Sequence, residues 1–363
     1  MERTVMKWLL IWLCLLLLLP QSAHAAALPE EALDAVDGRA ADIVGGMERF
    51  DAAEFFDGVL EILRSLRPEL AQELRAAVKT AVLLLLIVLL MSLAGSLFEG
   101  AGGERYDITA LVGTLAMSAV VLRDISGLMQ SSLRLLTELE SFTTALFPVL
   151  SAAVAATGAV STASLHQVAT VWLATILMRF LSAILLPLLT AYMTLVTVSA
   201  ALPENSLGAL AEGLRKGTTW LLGAILSAFT AYLSAAHVIS GSTDAMALRV
   251  TRTALSGVIP VVGGVLSGAA ETVLAGAGLV KNAVGIVGLL GVLSLTLLPF
   301  LTLLLQYLAC RAAGIAAAVA EGGGLAAFLT QLGGAFALLM GMVGAAALLL
   351  LISIFASVAA VMP

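Results

Sequence analysis

The sequence predicts an all-α polytopic membrane protein with about seven to eight helical spans. Two observations support this fold class. Of the 363 residues, 61% are hydrophobic and only 12% are charged, whereas soluble domains average about 25% charged residues. From Thr80 onward, long uncharged runs alternate with short segments that hold charge, glycine or proline. This alternation is typical of a chain that crosses a bilayer repeatedly as helices.

Residues 1–25 have the pattern of a cleavable signal peptide. Arg3 and Lys7 provide a charged start, an apolar run follows over 8–19, and the segment ends in small residues around Ala25. The alternative is an uncleaved membrane helix, but this run is short of the roughly 20 apolar residues that span hydrocarbon. Cleavage would place the mature N-terminus outside the cytoplasm and leave Cys310 without an intrachain disulfide partner.

Residues 26–78 form a predicted extracytoplasmic region that precedes the membrane domain. Residues 26–79 hold 12 acidic and 6 basic groups, against 11 and 10 in residues 80–363. Apolar residues recur at helical spacing, which predicts an amphipathic helix, and Pro68 is well placed in the first turn of a second helix. The apolar stripe either lies on the membrane or on its own chain, or it docks a partner. Its members are Phe55, Val59, Ile62, Leu63 and Leu66.

Residues 79–363 form a predicted multi-pass transmembrane domain. The fourth apolar run is 36 residues long, so it either tilts steeply or breaks at Pro187, and the number of spans is therefore seven to eight. The predicted spans are 79–98, 108–123, 142–160, 167–202, 217–240, 283–309 and 332–361.

The segment near 254–280 is predicted to be a broken or re-entrant helix. Proline and glycine interrupt it at 259–264, and further glycines follow. Broken backbone at membrane depth is satisfied by protein or by water, which favours a position beside a passage. The alternative is a helix hairpin packed through small residues, since Gly264 and Gly268 have GxxxG spacing. The candidate passage or packing residues here are Arg252, Pro260, Gly263, Gly264 and Gly268.

Ionisable residues inside apolar segments are further site candidates, because an unpaired charge there is costly. They are Arg179, Glu271 and Lys281, and Asn282 follows the last of these. Glu271 and Lys281 would lie about 15 Å apart on a continuous helix, too far to pair directly. The alternative is that Arg179 and Lys281 extend to an interface and that Glu271 lies at a helix end.

Several function classes are disfavoured by the sequence. A net charge of −6 provides no cationic excess for nucleic acid. The chain has no GxxxxGK[ST] phosphate loop, no GxGxxG after a strand, no HExxH and no GxSG motif. We therefore expect a protein that is not an enzyme, with no catalytic residues, no cofactor and no metal site.

Five short segments resemble one family in order and spacing. They are 252–254 (RTA), 259–263 (IPVVG), 271–273 (ETV), 279–286 (LVKNAVGI) and, earlier in the chain, 141–150 (SFTTALFPVL). Together with the signal peptide and the charged N-terminal region, they resemble the stage III sporulation protein AE family over nearly the whole mature chain. The N-terminal region is shorter than is usual in that family.

The resemblance implies a multi-pass protein of the mother-cell membrane that faces the forespore. It implies a channel or export-platform subunit that works with other membrane and ring-forming proteins of the sporulation complex and is needed for late forespore gene expression. A homo-oligomer is compatible with this role, and the lipid bilayer is its surroundings. The family supplies no catalytic residues to carry over.

Two other functions remain open from the residues alone. One is a stand-alone secondary transporter, for which only Glu271 offers a midplane acidic group and no inverted repeat is evident. The other is a membrane scaffold that assembles its partners without conducting anything.

Overall fold

The computed structural model describes residues 52–100, 108–156, 172–201, 207–229, 231–232, 263–320 and 324–359, and every element in these ranges is helical. The predicted signal peptide and residues 26–51 lie outside the described residues. In chain order the helices are α1 Ala52–Ser65, α2 Arg67–Gly100, α3 Ile108–Ala156, α4 172–201, α5 207–229, α6 Gly263–Ala320 and α7 Gly324–Ala359.

Five stretches of these helices are long and apolar enough to cross a membrane. This confirms an all-helical membrane protein, while any spans beyond five stay a prediction. The five lie on α2, α3, α4, α6 and α7. Their bounds are Arg67–Ser96, Val112–Ala156, Trp172–Ser199, Ala283–Ala320 and Gly324–Phe355.

Helix α3 joins two segments that were predicted as separate spans, 108–123 and 142–160. Its 49 residues extend about 73 Å, more than twice the hydrocarbon thickness. The predicted division between residues 123 and 142 was wrong, because the segment there is charged but amphipathic. Its residues Ile125, Leu135 and Leu139 are buried at helical spacing. Burial of that stripe keeps the backbone helical where hydropathy alone suggests a loop.

Helix α4 does not break at Pro187, one of the two outcomes that the sequence left open. Residues Leu181–Leu185 form a π-helical turn, in which the Leu186 amide donates to the Leu181 carbonyl. A proline ring clashes with the carbonyl four residues earlier in an α-helix. The wider turn immediately before Pro187 relieves that clash, so the helix continues to residue 201.

Helix α6 is continuous over its 58 residues. The prediction that Gly268, Gly276 and Gly278 interrupt the chain is therefore wrong for 263–280, because helical hydrogen bonding continues through all three. Residues 254–262 lie outside the described residues, so a break there stays a prediction. The predicted span 217–240 corresponds in part to α5, whose described residues are not among the five candidate spans.

The core lies where α6 and α7 pack against each other as an antiparallel hairpin, with α3 along one side. Ile62 of α1 and Leu66, in the turn between α1 and α2, belong to this core. Part of the predicted amphipathic stripe therefore packs on its own chain, whereas Leu63, predicted on the same stripe, is exposed. Along α2, leucines such as Leu86, Leu89 and Leu93 are exposed, as expected of a surface in contact with lipid.

Candidate functional site

Helices α3 and α4 pack side by side in opposite directions. Arg179 Nε on α4 lies 3.8 Å from Glu140 Oε1 on α3, and the Thr190 hydroxyl lies 4.0 Å from Met129 Sδ. The two contacts are 11 residues apart on each helix and run in opposite chain directions. With that register, the candidate span Trp172–Ser199 of α4 lies beside residues 120–147 of α3.

The part of α3 beside α4 presents a line of exposed polar side chains, which we name the polar stripe. Its members recur every three or four residues and so share one face of the helix. From first to last they cover 18 residue steps, about 27 Å, close to the thickness of the hydrocarbon core. The polar stripe consists of Ser126, Gln130, Arg134, Thr137, Glu138, Ser141 and Thr144.

The opposite face of the same helix is buried, and this fixes the direction of the polar stripe. Leu135, Leu139, Phe142 and Leu146 are all at most 5% exposed and belong to the common core. Rotating α3 to hide the polar stripe would expose these side chains. The polar face is therefore held outward by the packing of the apolar one.

Few surroundings stabilise a charged helix face that lies beside an apolar span. The side chain of Arg179 is 77% exposed and that of Glu140 29%, and a charge facing lipid at the helix centre costs about 2.5–3.5 kcal/mol on insertion scales. Lipid is therefore a poor neighbour for this face. Water, or the polar surface of another protein, satisfies the charges. The hydroxyls of Thr137 and Thr144 already donate to carbonyls of α3, at 3.1 and 2.9 Å.

Arg179, one of the residues predicted from sequence, lies directly before the π-helical turn of α4. The Ser182 hydroxyl donates to the Arg179 carbonyl at 3.1 Å. Turns of this kind often occur at functional sites, because the extra residue leaves one carbonyl poorly matched within the helix. The Glu140–Arg179 pair thus joins α3, beside its polar stripe, to the region of the least regular turn of α4.

One of the segments that resemble the family, 141–150, packs against α6 behind this pair. Its Phe142 and Leu146 lie against Gly291 and Gly288. A Cβ atom on Gly291 would lie 2.5 Å from Phe142 Cζ, and one on Gly288 would lie 2.7 Å from Leu146 Cδ2. Only glycine permits so close an approach of α3 to α6.

A second polar cluster joins α4, α5 and α7. The Tyr192 hydroxyl donates to the Gln331 carbonyl at 2.8 Å. On α5, Arg215 donates to both carboxylate oxygens of Glu212, at 2.7 and 2.6 Å. These hydrogen bonds lower the pKa of Glu212 and raise that of Arg215. Gly334 of α7 lies between them, since a Cβ there would approach Tyr192 Oη at 3.2 Å.

Replacing Tyr192 with phenylalanine tests that cluster. We expect the free energy of unfolding to fall by about 1 kcal/mol, because a buried hydroxyl loses its hydrogen bond. Reversible unfolding of the purified protein in mixed micelles measures the change. Tyr307→Phe is the matched control, since Tyr307 is also buried and no hydroxyl hydrogen bond of it occurs among the described residues. Equal losses from both changes would contradict the assignment.

The remaining candidate residues are only partly described. Arg252 and Pro260 lie outside the described residues. The others belong to the first 20 residues of α6, where Glu271 and Lys281 are about 15 Å apart along the continuous axis. They are Gly263, Gly264, Gly268, Glu271, Lys281 and Asn282.

Sequence reasoning missed Glu140 and the polar stripe. Glu140 lies two residues before the predicted span 142–160 and therefore falls between two predicted spans. The pattern was nevertheless present, because polar residues recur at spacings of three and four from Ser126 to Thr144. Among the described residues, no group of three or more histidine, cysteine or carboxylate side chains could hold a metal ion.

These features define a helical membrane protein whose helix seam carries charge. A family model described as stage III sporulation protein AE matches residues 39–361, so the chain belongs to that family and the resemblance is confirmed. The Stage III sporulation protein AE of Bacillus subtilis (strain 168) is 30% identical over 184 residues, which are 50% of this chain and 46% of that protein. The match therefore spans about half the length of this curated relative. No solved structure matches the chain.

Proposed function

We propose that the protein is a channel or export-platform subunit of the complex between mother cell and forespore, and that its polar stripe lines a water-filled passage. The observation that carries the proposal is a charged, exposed face about 27 Å long on α3, held beside the apolar span of α4. The charged groups on and beside this face, among them Arg134, Glu138 and the Glu140–Arg179 pair, need water or protein as neighbours. A passage supplies water there.

The biological setting of this proposal comes from the family. A membrane protein of a sporulation family is suited to the mother-cell membrane that faces the forespore, with residues 26–78 outside the cytoplasm. There it would act without enzymatic chemistry, together with ring-forming and other membrane proteins, in support of late forespore development and gene expression. Spans beyond the five candidates and a re-entrant entry to α6 near 254–262 belong to the same proposal.

Two alternatives place different neighbours against the polar stripe. In a non-conducting scaffold, a partner protein covers the stripe and keeps it dry. In a stand-alone secondary transporter, the purified chain alone moves a solute, with Glu271 as the acidic group on α6. Solute flux in liposomes that contain only this chain distinguishes the transporter from the other two.

Cysteine substitution tests whether the polar stripe is wet. On a Cys310→Ala background, we expect Gln130→Cys and Ser141→Cys to react with a charged thiol reagent much faster than Leu86→Cys, a control exposed on α2. Thiolate is the reactive form, and each unit by which apolar surroundings raise the thiol pKa lowers its fraction about tenfold. Reaction rates in membranes isolated from sporulating cells provide the measurement.

The pattern of rates separates the alternatives. Fast labelling in the assembled complex supports the passage. Labelling that is fast in the isolated chain but blocked when partners are present indicates the scaffold and contradicts the passage. Rates equal to that of Leu86→Cys in both preparations would mean that the polar stripe never contacts water.

A further inference from the structure

A groove lies on α2 where this helix passes from charged to uncharged sequence. Its volume is about 460 Å³. The apolar residues of its lining are unusually open to the surroundings, since Leu74, Val78 and Val82 are 48–54% exposed. The described lining consists of Leu74, Arg75, Val78, Lys79, Val82 and Leu83.

Two cationic side chains belong to the lining of this groove. Arg75 and Lys79 are four residues apart, so they share one side of α2 and their Cβ atoms are about 6 Å apart. Among the described residues, neither is paired with a carboxylate. They form a local cationic site within a region, 26–79, that holds twice as many acidic as basic groups.

The position of the groove along α2 matches the edge of a bilayer. Lys79 is the last charged residue before the uncharged run 80–98. Beyond the groove, the exposed apolar surface continues along the same helix through Leu86, Leu89 and Leu93. The two cations are therefore at headgroup level when those leucines contact acyl chains.

We propose that this groove binds an anionic phospholipid, a ligand independent of the proposed passage. The phosphate lies between Arg75 and Lys79, and the start of an acyl chain lies along Val78, Val82 and Leu83. A zwitterionic lipid carries a choline or ethanolamine cation that offsets the attraction to the arginine and lysine. The cationic pair therefore selects for net negative headgroups, while the apolar floor requires a lipid rather than free phosphate.

The test measures which lipids remain bound to the purified full-length protein. The protein is reconstituted in nanodiscs of phosphatidylcholine with a minor fraction of phosphatidylglycerol, and the enrichment of each lipid on the protein is read from bound-lipid mass spectra. Each basic group near the surface is worth about 1 kcal/mol, or about fivefold in binding. We expect Arg75→Gln and Lys79→Gln each to reduce phosphatidylglycerol enrichment about fivefold, and the double variant about 25-fold.

Arg64→Gln is the matched control. Arg64 is an exposed cation on α1, 3.3 Å from Glu61, and 11 residues from Arg75, so its loss leaves the groove intact. Unchanged enrichment in this variant supports the groove. An equal loss in Arg64→Gln would indicate diffuse surface attraction and overturn the proposal.

Two further outcomes would also overturn it. One is equal retention of both lipids by the unaltered protein, and the other is displacement of the lipid by excess inorganic phosphate. Size-exclusion profiles identify any variant that misfolds, and Val78→Ser then tests the apolar floor separately.

Discussion

Replacing Gly291 with leucine is expected to remove most of the protein from the membrane. Even a Cβ atom at this position would lie 2.5 Å from the ring of Phe142, and the remaining leucine atoms have no space. Phe142 is itself in the core, so the ring cannot turn aside as a flexible surface side chain would. Overpacking typically costs about 1–3 kcal/mol and sometimes more. Losses of about 1–2 kcal/mol already change cellular abundance several-fold, and we expect at least a fivefold fall.

The control for this experiment is Gly95→Leu. Gly95 lies on the candidate span of α2, and a Cβ atom there meets nothing within 4 Å. Leucine also favours a helix over glycine by about 1 kcal/mol, so abundance is expected to stay level or rise. Quantitative immunoblots of membrane fractions measure both variants. Adding Phe142→Ala to Gly291→Leu restores space and should recover part of the loss. Normal abundance of Gly291→Leu would show that α3 and α6 do not pack here.

The spans that were predicted correctly are those whose sequence is apolar on every side of the helix. The runs 283–309 of α6 and 332–361, most of which lies in α7, carry no charge, so hydropathy alone locates them. Helix α3 differs, because it has a buried face and a polar face within one span. The mean hydropathy of its middle segment predicts a charged loop, whereas the helical spacing of Leu135, Leu139 and Phe142 predicts a helix. The spacing of the apolar residues therefore predicts this helix better than the mean hydropathy of the segment does.

Arg179 shows what the sequence could and could not predict at the site. Its charge within an apolar run made it a candidate. Its partner Glu140 is 39 residues away on another helix, and such a pairing depends on how two helices slide past each other. That register is set by packing at distant points, such as Met129 against Thr190. For Glu271 and Lys281, the sequence predicted glycine interruptions between the two residues, whereas α6 is continuous there and has the separation of an unbroken helix.

Reversing the charge of Arg179 is expected to abolish the function of the protein while leaving most of it in the membrane. Arg179→Glu places two carboxylates where 3.8 Å now separates opposite charges. If water fills the passage, screening limits the effect on stability to about 1 kcal/mol or less, so protein levels remain close to normal. The charge pattern beside the π-helical turn is nevertheless inverted. We expect late forespore gene expression to fall at least about tenfold, which corresponds to about 1.4 kcal/mol in the equilibrium of the functional state.

The paired reversal makes this prediction specific. Combining Arg179→Glu with Glu140→Arg restores an ion pair of opposite orientation, and we expect it to recover much of the lost expression. Arg64→Glu is the control for a reversed charge outside the polar stripe, since Arg64 is an exposed cation on α1, and we expect it to leave expression unchanged. A reporter of late forespore transcription and immunoblots of the same cultures provide the two measurements. If Arg179→Glu lowers protein level as steeply as it lowers expression, the pair is a packing element facing lipid and the passage loses its support. If the paired reversal fails to recover expression although its protein level is normal, Glu140 is not the partner through which Arg179 acts.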